Sequence, residues 1–436
     1  MESDKKLALV FFPAFDWAIS PTHPEREERL LYTQDQLIEE GIGDIENITM
    51  LRSDIAQSKD VEKVHFCVPD VESRVTESHL IAAGSAIRCA DAVMKGGFDS
   101  AFALIRPPGH HAHTVVYGDR GFCIINNEAI MIEHMRKENP DLKVAIVDTD
   151  CHHGDGTSDI YWNDSNTLFI SLHQDGRTLY PGTGSVDEIG GPSGCGYTIN
   201  IPLPPGTSDE GYLYVIRHAV LPILDEFKPD IVINSAGQDN HYSDPLTNMN
   251  VSAQGYAQLN HLLHPDIAVL EGGYSIEGAL PYVNLGILLA MADLDFSGVK
   301  EPDYCRERLQ QSRQIDEYIR MLTSRVMENW KNRKTIREQL YENKSIVTST
   351  KRIYYDTDNI TERQNRKYIL CDRCGGLEII ESDSDTHHSI LAVTISRGSC
   401  ERCVNKGYSL YKNASGRYTG VYLHDKVNDS YLSKKM

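Results

Sequence analysis

One segment of the chain places several metal-ligating side chains directly after an apolar run. Residues 144–156 read VAIVDTDCHHGDG. Alternate residues of an extended chain point to the same side, so Asp150 and His152 can offer an oxygen and a nitrogen to one metal ion. Asp239, which follows the apolar run IVINSA, is the candidate for a third ligand, and a catalytic zinc ion with three protein ligands keeps one position open for water. A capped loop around a core histidine is the alternative interpretation of an isolated Asp-x-His pair.

Two adjacent histidines form a second candidate group. His110 and His111 follow an apolar run and the turn Arg-Pro-Pro-Gly. Histidine exchanges protons near neutral pH, and a carboxylate behind each ring would fix its tautomer and raise its basicity. Asp148 and Asp155 are available for that role. The sequence therefore predicts acid–base chemistry beside the metal ion.

Four cysteines near the end of the chain form two Cys-x-x-Cys pairs, separated by 25 residues: Cys371 and Cys374, then Cys400 and Cys403. Four thiolates in a reducing compartment predict a closed, structural zinc site of the zinc-ribbon type, in which two hairpins bind one ion. An iron centre or redox-active pairs are the alternatives. Such a domain could bind nucleic acid, bind protein or only seal a small core. Five basic residues precede these motifs in a pattern that we interpret as a solvent-exposed face: Lys351, Arg352, Arg363, Arg366 and Lys367.

Short apolar runs between residues 7 and 285 must position the candidate metal ligands and the two adjacent histidines. Runs rich in valine, isoleucine and phenylalanine alternate with segments of helical pattern, namely LALVFF, SAFALI, VAIVD, TLFISL, IVINSA and IAVLEGG. This alternation predicts an α/β fold with a mostly parallel sheet flanked by helices. Ligands bind outside the carboxyl ends of the strands in such sheets, so polar groups that are distant in sequence should meet in one crevice.

Length and charge predict more than one domain. The chain has 436 residues and a formal net charge of −20, and the negative charge is concentrated in its first 300 residues. We predict a catalytic domain over residues 1–300, a charged helical connector over 301–344 and a small zinc-ribbon-like domain over 345–436. No apolar run approaches the length of a membrane span and no signal peptide is recognisable, so we expect a cytoplasmic protein without membrane partners.

Seven motifs, in the same order along residues 5–290, resemble the histone deacetylase and acetylpolyamine amidohydrolase superfamily. They are RPPGHHAH, GFCIINNEAI, VDTDCHHGDGT, SLHQDGRTLYPGTG, INIPLPPGTSDEGY, SAGQDNHYSDPL and LEGGYS. RPPGHHA and LEGGY are closer to the class II pattern than to class I. The resemblance implies an arginase/deacetylase-like fold and a zinc-dependent enzyme that hydrolyses the amide of an acylated amine, most simply acetyl-lysine in a protein.

The resemblance also implies roles for the residues of the two candidate groups. The zinc ligands would be Asp150, His152 and Asp239. The general base would be His111 and its electrostatic helper His110, with Asp148 and Asp155 as their carboxylate partners. Tyr274, in LEGGYS, would polarise the substrate carbonyl.

The same resemblance implies a tunnel for the acylated side chain. Gly121 and Phe122 would form one wall and Tyr180 the opposite one, and Arg29 would lie near an exit for acetate. Asp148, with the backbone of Ser171 and Leu172, would form a site for a monovalent cation such as K⁺.

The sequence departs from the family pattern around the third metal ligand. Gln238 and Asn240 flank Asp239 where small or apolar residues are common, and His241, Tyr242 and Ser243 replace smaller residues. Neither change removes a catalytic group. Both changes leave the shape of the tunnel mouth open.

Substrate choice is predicted from Leu246. Polyamine-selective members of the family present a carboxylate in this region, which attracts a second ammonium group on the substrate, whereas Leu246 is uncharged. We therefore predict that acetyl-lysine peptides are preferred over acetylpolyamines, with His241, Tyr242 or Asp70 as the next gates to consider. A small-molecule amidohydrolase, a catalytically silent acyl-binding module and a nucleic-acid-associated protein are the alternatives.

Overall fold

The computed structural model describes residues 4–67 and 74–435, so Asp70 lies outside the described residues. In chain order the strands of the first part are β1 Leu7–Phe12, β2 Ile48–Leu51, β3 Phe66–Cys67, β4 Ser100–Ile105, β5 Val115–Val116, β6 Val144–Asp148, β7 Thr167–Gln174, β8 Thr198–Leu203, β9 Ile231–Ala236 and β10 Ile267–Leu270. Eight of them form one sheet in the order β2-β1-β4-β10-β9-β6-β7-β8, and β3 pairs with β5. Every pairing in the large sheet is parallel, which confirms the predicted α/β class.

Helices cover both faces of this sheet. They are α1 Leu31–Glu39, α2 Ser58–Glu62, α3 Glu77–Met94, α4 Asn127–Glu138, α5 Asp155–Tyr161, α6 Asp209–Val215, α7 Leu221–Phe227, α8 Ala253–Leu263 and α9 Leu280–Met291. A π-helical turn over residues 216–220 joins α6 to α7. Successive residues of a strand point to opposite faces, so Leu7 and Leu9 enter one hydrophobic cluster while Ala8 and Val10 enter the other. Burial on both faces explains why the strands are continuous apolar runs.

A single long helix, α10 Arg313–Tyr341, lies in the region predicted to be a helical connector. Ile319, Leu322, Val326 and Trp330 are buried in the core of the first part, while most of the other side chains of α10 are exposed. The helix therefore packs along the large sheet unit and leads the chain to a second sheet.

The second sheet contains β11 Ile346–Tyr355, β12 Ile360–Ile369, β13 Leu377–Ser384, β14 Ser389–Ile395, β15 Gly420–Asp425 and β16 Ser430–Lys435, in that order across the sheet. All pairs are antiparallel except β14 with β15, and between these two strands the chain forms α11 Glu401–Lys412. A parallel pair needs a crossover connection, which α11 provides. Cys400 and Cys403 therefore lie at the start of a helix, and the predicted second hairpin is wrong.

The second sheet packs against the first part of the chain through a shared core. Tyr355 and Ile353 of β11 join Phe66, Val115 and Tyr117, from β3 and the segment that begins at β5, in one hydrophobic cluster. The second sheet therefore shares one core with the catalytic unit and has a second core of its own, and the predicted domain bounds stay a prediction.

One of the five basic residues interpreted as solvent-exposed is buried. Arg366 of β12 is buried and forms an ion pair with Asp159 of α5, with 2.8 Å between Arg366 Nη2 and Asp159 Oδ1. Residues Glu362 and Gln364 of the same strand are also buried. The inward face of β12 is therefore polar, and the interpretation of the basic residues as one solvent-exposed face is wrong for Arg366.

Within the described residues, no helix combines the length and the apolar character needed to cross a bilayer.

Candidate active site

Three metal-ligating side chains converge at the carboxyl ends of neighbouring strands. Asp150 and His152 follow β6, and Asp239 follows β9, the strand beside it. One ligand atom from each lies within 4.8 Å of the other two, with His152 Nδ1 2.8 Å from Asp239 Oδ2 and 3.2 Å from Asp150 Oδ1. Two carboxylates and one imidazole, all at least largely buried, form a donor set that suits zinc.

Gly272, in the segment after β10, shows how closely these groups surround one point. A Cβ atom built on Gly272 would lie 2.6 Å from Asp150 Oδ2, 2.6 Å from Asp239 Oδ2 and 3.2 Å from Tyr274 Oη. Any larger residue would displace the carboxylates. The close approach of backbone to this centre therefore requires glycine.

The two adjacent histidines each have a carboxylate behind the ring. His110 Nδ1 lies 3.2 Å from Asp148 Oδ2, and His111 Nδ1 lies 2.7 Å from Asp155 Oδ1. Burial opposes protonation of His110, but the charges of Asp150 and Asp148 raise its pKa well above the ordinary value. Burial and the neighbouring charge of His110 lower the pKa of His111 to about 3. His110 therefore holds a proton more strongly than His111.

Arg120 is bound to the carboxylate that orients His111. Its Nε donates to Asp155 Oδ2 at 3.2 Å, and its Nη2 forms an ion pair with the same oxygen. Although burial alone would raise it, the Arg120 guanidinium holds the pKa of Asp155 well below its usual range. Asp155 therefore stays charged and acts as an acceptor for His111.

Tyr274 lies beside the metal-ligand group, in the segment after β10. Its backbone N–H donates to Asp244 Oδ2 at 2.7 Å, and the Arg29 guanidinium lies 5.0 Å from the centre of its ring. Arg29 itself donates to the carbonyl oxygens of Gly273 (2.9 Å) and Glu271 (2.7 Å). Burial raises the pKa of Tyr274 well above its ordinary value, so its hydroxyl remains a hydrogen-bond donor.

A cavity of about 280 Å³ leads to these groups. All four predicted substrate-binding residues line it: Gly121, Phe122, Tyr180 and Leu246. His110, His111, His152 and Tyr274 also line it. Gly121 has φ +51°, and a Cβ there would lie 2.4 Å from His111 Cδ2, so glycine keeps the cavity open beside the histidine.

The sequence analysis missed three lining residues: Pro108, Leu179 and Asp356. Pro108 and Leu179 are near predicted residues in sequence. Asp356 follows β11, more than 80 residues beyond Tyr274, and nothing in the sequence connected it with the first part of the chain. A carboxylate thus lies at the cavity although Leu246 is uncharged, and the argument for acetyl-lysine preference from Leu246 loses its premise.

The departures from the family pattern lie away from the cavity. Gln238, Asn240 and His241 are buried and none of them lines it. Asn240 Nδ2 donates to the Thr149 carbonyl oxygen at 2.8 Å, and His241 Nε2 lies 3.2 Å from Glu301 Oε1. These residues stabilise the loop that carries Asp239, and His241 is not a gate.

Comparison with known proteins agrees with this geometry. The histone deacetylase domain model matches residues 67–284, half of the chain. A protein of Archaeoglobus fulgidus described as a probable deacetylase is 49% identical over 311 residues, which covers 65% of this chain and 85% of the relative. The chain belongs to the histone deacetylase family.

Other members of the family differ in what their names say they act on. A histone deacetylase-like amidohydrolase of Pseudomonas aeruginosa is 33% identical over 254 residues, covering 53% of this chain and 66% of the relative. An acetylpolyamine amidohydrolase of Burkholderia pseudomallei is 39% identical over 201 residues, covering 45% and 57%. The crystal structure of the HDA15 HD domain superposes with a TM-score of 0.65 at 26% identity, and covers 78% of this chain and 99% of that one. Histone deacetylase family membership therefore leaves the acylated amine open.

The cysteine cluster lies outside the match to the histone deacetylase domain. Cys371 Sγ is 3.8 Å from Cys400 Sγ, and Cys374 Sγ is 3.7 Å from Cys400 Sγ and 3.5 Å from Cys403 Sγ. A regular tetrahedron with Zn–S distances of about 2.3 Å has edges of about 3.8 Å. The four sulfur atoms therefore have the spacing of a tetrahedral metal site.

The monovalent-cation site stays a prediction. Asp148 and Ser171 are partners in the pairing of β6 with β7, which places two of the implied ligand residues side by side. Ser171 Oγ lies 2.9 Å from His173 Nδ1.

Proposed function

We propose that this chain is a zinc-dependent deacetylase that hydrolyses the amide of an acylated primary amine, most simply acetyl-lysine in a protein. The observation that carries the proposal is the convergence of a three-residue metal-ligand group, two His–Asp pairs and Tyr274 at one end of a single cavity. Each of these groups serves amide hydrolysis. Together they supply metal ligands, a general base, a proton donor and a donor to the oxyanion. A catalytically silent acyl-binding module would not need both His–Asp pairs.

The roles follow from the surroundings of each residue. When bound by Asp150, His152 and Asp239, zinc would supply a Lewis acid that acidifies water and polarises the amide carbonyl. His111, neutral and oriented by Asp155, is suited to accept the proton of the attacking water. His110, protonated beside Asp148, contributes positive charge where the oxyanion develops, and a protonated histidine returns a proton to the leaving amine. The Tyr274 hydroxyl donates to the same oxyanion.

The apolar walls of the cavity suit an unbranched aliphatic chain. Phe122 packs edge-on against Tyr274 with ring centres 5.7 Å apart, and Tyr180 packs edge-on against His111 at 5.2 Å. The four methylene groups of lysine would contact these rings. An acetylpolyamine has a chain of the same kind, and the carboxylate of Asp356 at the cavity favours it as the second candidate substrate.

We expect metal removal to abolish hydrolysis. A chelator followed by gel filtration should lower deacetylation of both acetyl-lysine peptides and acetylpolyamines to background, because no other group near the histidines can polarise the amide carbonyl as strongly. Added Zn²⁺ should restore activity in proportion to the zinc that rebinds, measured by elemental analysis. Full activity in protein that retains no metal at the Asp150, His152 and Asp239 site would contradict the proposal.

A second, structural zinc ion at the four cysteines gives a separate prediction. Elemental analysis should find two zinc ions per chain in the purified protein and one in the Cys374→Ser variant, which should also unfold at lower temperature because metal binding contributes folding free energy. Cys305→Ser, at a cysteine outside the cluster, should retain both ions. Two zinc ions in the Cys374→Ser variant would show that the four thiolates do not bind a zinc ion.

Binding of protein or nucleic acid by the C-terminal region stays a prediction, as does cytoplasmic localisation.

A further inference from the structure

The turn between β11 and β12 places a residue of the second sheet at the catalytic cavity. Residues 356–359 form this turn, and Asp356 is the one residue of the second sheet region that lines the cavity within the described part of the chain. The carboxylates of Asp150 and Asp239 belong to the metal-ligand group, and those of Asp148 and Asp155 are partners of the histidines. Asp356 is neither a metal ligand nor a partner of a histidine, so these functions do not explain a carboxylate at this position.

Asp356 joins the two walls of the cavity. Its Oδ2 accepts a hydrogen bond from the Tyr180 hydroxyl at 2.7 Å. Both carboxylate oxygens lie 3.3 Å from the backbone nitrogen of Gly121, on the opposite wall. The Thr357 hydroxyl also donates to Asp356 Oδ1, at 3.4 Å. A carboxylate has about four acceptor positions, so these three donors leave capacity for one more. Asp356 is partly exposed, and that capacity is available to a molecule in the cavity.

The turn is held in this position by further contacts. Asp358 Oδ2 accepts from the backbone nitrogen of Asp119 at 2.7 Å, and Arg120 Nη1 donates to the Tyr354 carbonyl oxygen at 2.6 Å. Arg120 also pairs with Asp155, so one side chain connects the turn with the His111–Asp155 pair. The second sheet is thus attached to the catalytic groups on both sides of Asp356.

The entrance is negatively charged. Burial, together with the charges of Asp356 and Asp358, raises the pKa of Asp119 to about 7. The nearby cations are already engaged, because Arg74 forms an ion pair with Asp358 and Arg120 pairs with Asp155. Among the described residues, no lysine or arginine forms an ion pair with Asp356. The charge of Arg120 interacts with Asp356, but the two side chains form no direct ion pair. A cation that enters the cavity would therefore meet a carboxylate to which no lysine or arginine of the described residues is directly paired.

We propose that Asp356 is a specificity-determining residue, supplied by the second sheet, that binds a protonated amine of the substrate at the cavity entrance. The proposal rests on the proposed function, because the acylated end of the same molecule occupies the metal and histidine groups. A second amine of an acetylpolyamine and a lysine side chain next to acetyl-lysine in a peptide share this chemistry. The neutral acetyl-lysine chain alone does not have it.

Two pairs of substrates isolate the charge. N-acetylcadaverine differs from N-acetylpentylamine by its terminal amine, and N-acetylputrescine differs from N-acetylbutylamine in the same way. In the Asp356→Asn variant, kcat/KM should fall about tenfold for the diamine derivatives, mainly through KM, because a hydrogen bond to a charged group is lost. It should change less than twofold for the two alkylamides, because asparagine retains an acceptor oxygen for Tyr180.

A matched control removes the same charge elsewhere on the sheet. Asp385, in the turn between β13 and β14, is exposed and its Oδ2 accepts from the backbone nitrogen of Thr361 at 3.0 Å. Asp385→Asn should leave kcat/KM for all four substrates within twofold of wild type.

Acetyl-lysine peptides with and without an adjacent lysine then identify the source of the amine. A loss of kcat/KM confined to the lysine-containing peptide assigns the site to proteins, and a loss confined to the diamine derivatives assigns it to polyamines.

The outcomes separate this proposal from the proposed function. Hydrolysis of N-acetylpentylamine by the wild-type protein tests the enzyme itself. If none of the four amides is hydrolysed, calorimetry can still measure how tightly the zinc-loaded protein binds them. The wild-type protein should then bind the diamine derivatives about tenfold more tightly than the Asp356→Asn variant does. Equal losses for charged and uncharged substrates, or no loss for either the diamine derivatives or the lysine-containing peptide, would overturn the recognition of an amine by Asp356.

Discussion

Replacement of Tyr274 by phenylalanine should lower kcat about 100- to 1,000-fold. The change removes only a hydroxyl that lies beside the carboxylates of Asp150 and Asp239 and that burial keeps protonated. The ring contacts with Phe122 and Arg29 do not depend on that hydroxyl. The loss should therefore appear in the chemical step, measured as kcat on an acetyl-lysine peptide, with KM and zinc content close to wild type.

Tyr242→Phe is the matched control for this experiment. Tyr242 is half-buried in the loop after Asp239 and does not line the cavity, so loss of its hydroxyl should leave kcat within about threefold of wild type. A Tyr274→Phe protein that keeps more than a tenth of wild-type kcat would exclude the hydroxyl as the main donor to the oxyanion. A protein that loses zinc together with kcat would instead assign Tyr274 to metal retention.

The sequence was sufficient for the parallel sheet and for the groups that follow its strands. β4, β10, β9 and β6 are neighbours at the centre of the sheet. The residues after their carboxyl ends are the ones predicted to meet: His110 and His111, Tyr274, Asp239, and Asp150 with His152. This prediction succeeded because burial on both faces makes such strands continuous apolar runs, and the topology then brings their ends together.

The contribution of the second sheet could not be predicted in the same way. Asp356 reaches the cavity because β11 packs on β3 and β5, a tertiary contact with no local signal. The inward residues Glu362, Gln364 and Arg366 made β12 resemble a solvent-exposed strand, since period-2 patterns are recognised when the buried face is apolar. The helix that begins directly after Cys400 was missed because a Cys-x-x-Cys pair fits a hairpin and a helix start equally well.

Replacement of Arg366 by methionine should lower the free energy of unfolding by about 3 to 5 kcal/mol. Arg366 Nη2 lies 2.8 Å from Asp159 Oδ1 and 2.9 Å from Asp159 Oδ2, and both side chains are fully buried. Although burial alone would raise it, Arg366 and Lys351 hold the pKa of Asp159 well below its usual range. Without Arg366, a buried carboxylate would remain with Lys351 alone, whose Nζ lies 2.8 Å from Asp159 Oδ1. The lower end of the range is expected because Lys351 remains.

Denaturant unfolding of the zinc-loaded protein measures this loss, and two further variants identify its cause. Arg363→Met, at an exposed arginine of the same strand, should change stability by no more than about 0.5 kcal/mol. Combining Arg366→Met with Asp159→Asn should recover part of the loss, because the buried charge disappears along with its partner. Asp159 lies one helical turn after Asp155 on α5, so weakening this ion pair should also lower kcat by disturbing the carboxylate that orients His111. If Arg366→Met is no less stable than Arg363→Met, the second sheet does not stabilise the catalytic unit through Asp159.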